Sequence, residues 1–135
     1  MSVRDRILEI DDITREQVLI KEWGFEVEIR SMTGAARAHV LERSQTADGK
    51  SIDIAKWTPE IVTMCTFDPE TGEQVFGDND RELIMSKNSA ALSTIMKVAI
   101  RLSGLEEEAA DAAKLQEQIT AAMKQIEELL KQAKR

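Results

Sequence analysis

The side chains that most often carry out chemistry are few in this chain and are not grouped. His39 is the only histidine and Cys65 is the only cysteine. No serine or cysteine accompanies His39 in a recognisable motif, so the sequence does not support a nucleophilic triad. We interpret His39 as a residue on a helix surface and Cys65, which lies in an apolar run, as a buried structural thiol. A single cysteine also excludes an internal disulfide and a cysteine-based zinc site.

Two acidic segments raise the question of a cation site. Asp68 to Glu73 superficially suggests a calcium loop, but an EF-hand loop requires glycine at its sixth position, where this chain has Glu73, and a distant bidentate glutamate. The segment Asp78-Asn79-Asp80 is better interpreted as a helix cap. The sequence has no phosphate-binding glycine loop. We therefore expect no catalytic residue, no cofactor and no metal site, and a protein that is not an enzyme.

Composition narrows the class of protein. The chain has 135 residues, of which 42% are hydrophobic, with three phenylalanines, two tryptophans and no tyrosine. We expect one domain with an aliphatic core.

The net charge of -7 argues against nucleic-acid binding, which needs lysine and arginine to displace counterions from phosphates. The charged N-terminus lacks an apolar secretory segment and no run approaches the roughly 18 apolar residues of a membrane span, so we expect a soluble, cytoplasmic protein without membrane contact.

Two apolar runs near the N-terminus predict paired β-strands. Phe25, Val27 and Ile29 alternate with charged residues, which is the period-two pattern of a half-buried strand. A similar alternation precedes them from residue 17. Gly24, between the runs, could supply the positive φ angle of a hairpin turn, or it could mark a bulge in one long strand.

The next part of the chain predicts a helix and then an ambiguous segment. Thr33 can cap a helix over residues 34–45, which are rich in alanine. Residues 52–67 allow either a helix or a strand. We expect a short helix, with Pro59 tolerated in its first turn, that runs into a strand-like segment at residues 61–67.

A tight turn follows this segment. Pro69 presets its φ angle, Asp68 can accept a hydrogen bond from the backbone that follows, and Gly72 takes a left-handed conformation. Val75 and Phe76 then return the chain, so that residues 61–76 could extend the sheet formed by residues 17–32.

Two helices are predicted after the turn. Asp78 or Asp80 is a suitable N-cap for a helix that begins near Arg81. Asn88-Ser89 divides the helical pattern in two, and Gly104 stands where a helix C-terminus favours glycine.

The C-terminal region predicts a long amphipathic helix. Its apolar residues repeat at alternating spacings of three and four, which is a heptad seam. These residues are Ala112, Leu115, Ile119, Ala122, Ile126, Leu129 and Ala133. Acidic residues at the start and basic residues at the end suit the helix dipole. Such a seam can fold back on its own domain or pair with another chain, and the sequence favours neither.

Together these elements predict an α+β fold: a small antiparallel β-sheet or hairpin packed by helices, with a long C-terminal amphipathic helix. We expect residues 1–105 to form the α+β domain and residues 106–135 to form the helix. The two tryptophans could be partner anchors, but a core position is favoured in a chain with so few aromatic residues. The candidate interface residues are Leu115, Ile119, Ala122, Ile126, Leu129, Trp23 and Trp57.

Several segments, taken in order, form a recognisable series. They are Glu22-Trp23-Gly24, Val27-Glu28-Ile29-Arg30, Asp68 to Gly72, Val75-Phe76, Asp78-Asn79-Asp80 and Leu102 to Glu108. The series resembles the signature of phage tail assembly chaperones, the small non-structural proteins made while long non-contractile tails are built. The resemblance covers about residues 15–108. The tail after Glu108 is longer and more like a coiled coil than we expect for this family.

The resemblance implies a function without catalysis. It implies binding to the tape-measure protein during tail assembly, with tail-tube subunits as a further candidate partner, in the cytoplasm of a bacterial host. It also implies absence from the mature virion. Many members of the family are also made in a longer form by ribosomal frameshifting. The alternative is a small structural tail or neck component that self-associates through its C-terminal helix.

Overall fold

A computed structural model of the chain describes residues 1–134. Within them, helices are combined with one three-stranded antiparallel sheet. The elements are α1 (Val3–Glu9), β1 (Arg15–Ile20), β2 (Phe25–Arg30), α2 (Gly34–Arg43), α3 (Ile54–Cys65), β3 (Thr66–Phe67), α4 (Arg81–Met85), α5 (Ser89–Ser103) and α6 (Glu106–Ala133). The predicted α+β class, with its long C-terminal helix, is confirmed.

The predicted strands form a hairpin. β1 and β2 pair antiparallel, and Ile20 lies opposite Phe25 at the closed end. Gly24 has a φ angle of 80°, which a residue with a side chain rarely adopts, so the turn interpretation is confirmed over the bulge in one long strand. Side chains alternate between the two faces of the hairpin, and the inner face carries the buried residues Ile20, Val27 and Ile29.

The strand expected at residues 61–67 is wrong for most of its length. Helix α3 continues to Cys65, and only Thr66 and Phe67 pair with β2. The expected position of Pro59 is also wrong, because α3 begins at Ile54 and places this proline in its second turn. The reason lies in packing, which outweighs the intrinsic β-propensity of this segment. A helix turns its apolar residues toward the core, and the buried ones are Trp57, Ile61, Val62 and Cys65.

The turn after β3 has the predicted construction. The Asp68 carboxylate accepts a hydrogen bond from the Glu70 backbone N–H at 2.8 Å, and Gly72 N–H donates to the Asp68 carbonyl at 2.8 Å. Gly72 has a φ angle of 75°. Arg30 joins the turn to the sheet, since its Nη2 donates to the Gly72 carbonyl at 3.3 Å and its guanidinium lies 4.0 Å from the centre of the Phe67 ring.

We expect Gly72→Val to lower the free energy of unfolding by about 1 kcal/mol or more, because a β-branched residue is strained at this positive φ angle. Chemical denaturation of both proteins measures the difference. Gly34→Val is the matched control, because Gly34 lacks a positive φ angle and a Cβ there would meet nothing within 4 Å. Equal losses for the two variants would contradict the assignment.

The helices after the turn begin and end largely as predicted. Asn88 caps α5 by accepting a hydrogen bond from the Ala90 N–H at 2.8 Å, and Gly104 ends α5 with a φ angle of 67°. Asp80 occupies the N-cap position of α4 but does not cap it through its side chain. Its carboxylate instead accepts from the Gly77 N–H at 2.8 Å, because the loop before α4 folds back toward it.

The core lies between the inner face of the hairpin, α3 and α5. Helices α2 and α4 pack on α3 from the sides, and the first turns of α6 lie against α3 and α5. The buried hydrophobic residues are Ile20, Val27, Ile29, Val40, Trp57, Ile61, Val62, Cys65, Ile84, Ala91, Leu92, Ile95, Ala99, Leu105 and Ala112. Helix α1 contributes none of them.

Candidate interaction surfaces

The residues considered for chemistry lie apart from one another. His39 is exposed on α2, and Cys65 is fully buried, as the sequence predicts. Burial raises the pKa of the Cys65 thiol to about 12, which keeps it protonated and unreactive at neutral pH. Within residues 1–134, no group of three or more His, Cys, Asp or Glu side chains is arranged to hold a metal ion.

The two tryptophans occupy different environments. Trp57 is 3% exposed and belongs to the core, and its indole N–H has no hydrogen-bond partner within the described residues. Trp23 is half-buried at the tip of the hairpin, where its ring centre lies 6.3 Å from that of Phe25. Only Trp23 therefore presents its ring at the surface.

Trp23 forms part of an apolar depression, which we call the hairpin groove. The groove has a volume of about 670 Å³ and lies between the hairpin tip and the segment from Asp68 to Phe76. Its apolar lining comprises Trp23, Phe25, Val27, Pro69, Val75 and Phe76. Phe25 is 58% exposed although it lies on the same strand face as the buried Val27. The groove therefore offers an aromatic contact surface that this chain leaves uncovered.

The charged residues around the hairpin groove are mostly acidic. Glu26 approaches it from β2, while Asp68 and Glu70 approach it from the turn. Lys87, in the loop between α4 and α5, is the one basic residue among the groove's described lining. The net negative charge of these residues beside an apolar floor favours apolar ligands that carry positive charge at their edges.

The predicted seam of α6 is divided between two environments. Ala112 is buried and Leu115 is half-buried, because the first turns of the helix pack against α3 and α5. An ion pair between Arg37 and Glu108 joins the same end of α6 to α2. From residue 120 to residue 134, every side chain is exposed.

The outer half of α6 carries an apolar surface that we call the C-terminal stripe. It comprises Ile119, Ala122, Met123, Ile126, Leu129 and Leu130. Ile126 is 57% exposed and Leu129 is 64% exposed. The sequence pattern missed Met123 and Leu130, because the strict alternation of three and four counts only two positions per heptad. A helical wheel would have found both.

Sequence reasoning also missed the hairpin groove. The sequence predicts Phe25 only as a strand residue, and Val75 and Phe76 only as the return from a turn. Their convergence depends on the pairing of β3 with β2, a contact between distant parts of the chain. The available signal was the pair of aromatic residues Trp23 and Phe25 on either side of the turn glycine.

A buried ion pair was missed as well. Glu60 on α3 is 4% exposed, and its carboxylate accepts hydrogen bonds from Arg81 of α4 and Arg43 of α2. Burial by itself raises the pKa of Glu60, but the hydrogen bonds and positive charges of the two arginines outweigh it, so the pKa lies below its usual value. Both carboxylate oxygens accept from arginine, and the cluster is structural.

Comparisons with known proteins give one informative result. No protein-family model matches the sequence, and no curated protein matches it. The structure is similar to that of the bacteriophage HK97 tail assembly chaperone, with a TM-score of 0.55 and 19% sequence identity over 76% of this chain and 95% of that chain. In the part of the chain that the structure describes, no helix is long and apolar enough to cross a membrane. The resemblance found in the sequence is thereby confirmed at the level of the fold, and this chain has the fold of a bacteriophage tail assembly chaperone.

Proposed function

We propose that this protein is a phage tail assembly chaperone that binds the tape-measure protein through the hairpin groove. The observation that carries the proposal is the uncovered apolar groove with its acidic rim, found in a chain with the fold of a tail assembly chaperone. The chaperone would act in the host cytoplasm during assembly and would be absent from the finished virion. Tail-tube subunits are the second candidate partner.

The chemistry of the groove indicates what it would bind. Its aromatic and aliphatic lining favours large apolar side chains, and its volume of about 670 Å³ lies within the usual range for binding sites. The net negative charge of its lining would select segments in which lysine or arginine flanks the apolar residues. A long helical tape-measure protein has apolar faces that need shielding before the tube covers them.

An open groove suits a chaperone because its client, the bound tape-measure protein, must be released. Phe25 keeps more than half of its surface in contact with water, and it can bury that surface only when a client is bound. A contact that depends on a few aromatic side chains can be strong enough to shield a client and weak enough to exchange.

We expect Phe25→Ser to weaken binding to the tape-measure protein of the same phage about tenfold or more, because it removes a central aromatic contact. Leu19→Ser is the matched control: Leu19 is 56% exposed on the opposite face of the same hairpin and does not line the groove. Co-expression with the tape-measure protein and pull-down would compare the variants, with circular dichroism to verify folding.

Two results would contradict this proposal. The chaperone function is wrong if the tape-measure protein is equally soluble with and without this chain. The assignment of the groove is wrong if Phe25→Ser and Leu19→Ser bind the tape-measure protein equally well.

The exposed C-terminal stripe favours a second candidate, a structural tail or neck component that self-associates through α6. The two functions differ in whether the protein is present in the mature virion. A structural component remains in purified mature virions, whereas a chaperone is missing from them. Mass spectrometry of purified particles distinguishes the two.

A further inference from the structure

We propose that two copies of this chain associate as an antiparallel dimer through the outer half of α6, residues 122–133. This inference is independent of the proposed chaperone function. It starts from the C-terminal stripe, because four large apolar side chains on one stretch of helix are more than half exposed. They are Met123, Ile126, Leu129 and Leu130. A helical segment that extends from its domain without tertiary contacts is only marginally stable, and a second copy would supply the missing contacts.

The residues that flank the C-terminal stripe indicate that its partner is a second copy of the same helix. In heptad notation, Ile119, Ile126 and Ala133 take position a, while Ala122 and Leu129 take position d. Position e carries Met123 and Leu130, and position g carries Gln118, Gln125 and Gln132. One flank of the helix seam, at position e, is therefore apolar, and the other flank, at position g, is polar but uncharged.

This asymmetry favours antiparallel pairing. In a parallel pair, each e position faces a g position, so Met123 and Leu130 would face glutamine and remain exposed to solvent. In an antiparallel pair, e faces e and g faces g, which buries apolar residues against each other and pairs glutamine amides. The opposed helix dipoles also attract.

A single register satisfies all these pairs. Ile126 lies opposite Leu129 of the second copy, and Ala122 lies opposite Ala133. On the apolar side, Met123 lies beside Leu130 of the second copy, and Gln125 lies beside Gln132 on the polar side. Large side chains thus fill the centre, while alanines at both ends let the helices approach closely.

The position of the domain is compatible with this register. The overlap begins only after the turns of α6 that pack on α3 and α5, so the two domains lie at opposite ends of the paired helices. The paired segment, residues 122–133, spans about 17 Å. Such a short helix pair buries less surface than a standard stable interface of roughly 1,200–2,000 Å², so we expect a reversible dimer that depends on concentration.

Analytical ultracentrifugation of the full chain tests the interface. We expect a monomer–dimer equilibrium that the double variant Ile126→Ser/Leu129→Ser abolishes. The matched control is Lys124→Ser/Lys131→Ser, which adds the same residue type on the outward face of the same helix and should still dimerise. Deletion of residues 2–10 should also leave the dimer intact, because α1 carries the other large set of exposed apolar residues. A monomeric parent chain, or a dimer lost on deletion of α1, overturns the proposal.

Spin labels test the orientation of the two helices. In the antiparallel register, labels at Glu117→Cys lie about 32 Å apart along the helix axis and labels at Lys131→Cys lie about 10 Å apart. In a parallel dimer, both pairs would show the same separation. The native Cys65 is fully buried and stays unlabelled, which labelling of the parent chain verifies. Equal distances at the two sites would exclude the antiparallel dimer.

Discussion

Replacing Glu60 with glutamine should lower the free energy of unfolding by about 3 kcal/mol, a large effect for one isosteric substitution in a domain of this size. The Glu60 carboxylate accepts from Arg81 Nη2 at 2.9 Å and from Arg43 Nε at 3.2 Å. Arg81 is itself half-buried, so the substitution leaves a partly desolvated cation without its main counter-charge. Urea denaturation measures the loss.

The position of this cluster explains why the effect should be global. Glu60 belongs to α3, and its partners belong to α2 and α4, so one carboxylate joins three helices. Glu42→Gln is the matched control, because Glu42 is exposed on α2. The double variant Glu60→Leu/Arg81→Leu should recover part of the lost stability, since it removes both charges together. Similar stabilities for Glu60→Gln and Glu42→Gln would show that the ion pair contributes little.

The same carboxylate predicts a dependence on pH. The pKa of Glu60 is lowered in the folded protein, so folding favours its charged form. Its contribution is complete above the ordinary glutamate pKa, and it is lost as the pH falls from that value through the lowered pKa of the folded state. The difference in stability between the parent chain and Glu60→Gln should therefore shrink on acidification over this range. A constant difference would contradict the assignment.

Removing residues 106–135 should lower the free energy of unfolding by about 2 kcal/mol or more, whereas removing residues 120–135 should leave it nearly unchanged. The first turns of α6 bury Ala112 and cover a crevice lined by Ile54, Trp57 and Met96. Among the described residues, the outer turns from residue 120 expose every side chain. Thermal denaturation of the three proteins at a concentration that keeps them monomeric gives the comparison.

This pair of truncations also tests the predicted division at residue 105. If the shorter chain retains full stability, the domain ends before α6 as the sequence suggests. If only the chain ending at residue 119 is fully stable, the first turns of α6 belong to the domain. A loss of monomer stability on removing residues 120–135 would show that the outer helix has contacts with its own domain.

The sequence by itself determined the features that depend on neighbours along the chain. The hairpin follows from period-two alternation around Gly24, and the turn follows from Asp68, Pro69 and Gly72. The extent of α6 follows from its apolar seam, and the break between α4 and α5 follows from Asn88-Ser89. These interactions connect residues a few positions apart, so residue types and spacing suffice to predict them.

Only the tertiary structure decided the features that depend on distant contacts. The residues before Thr66 have β-propensity, yet they form a helix because a helix turns their apolar side chains toward the core and α5. The ion pair of Glu60 and the hairpin groove both join segments far apart in sequence. Likewise, the regular seam of α6 cannot reveal that its first turns are covered and its outer turns exposed, because that division depends on where the body of the domain ends.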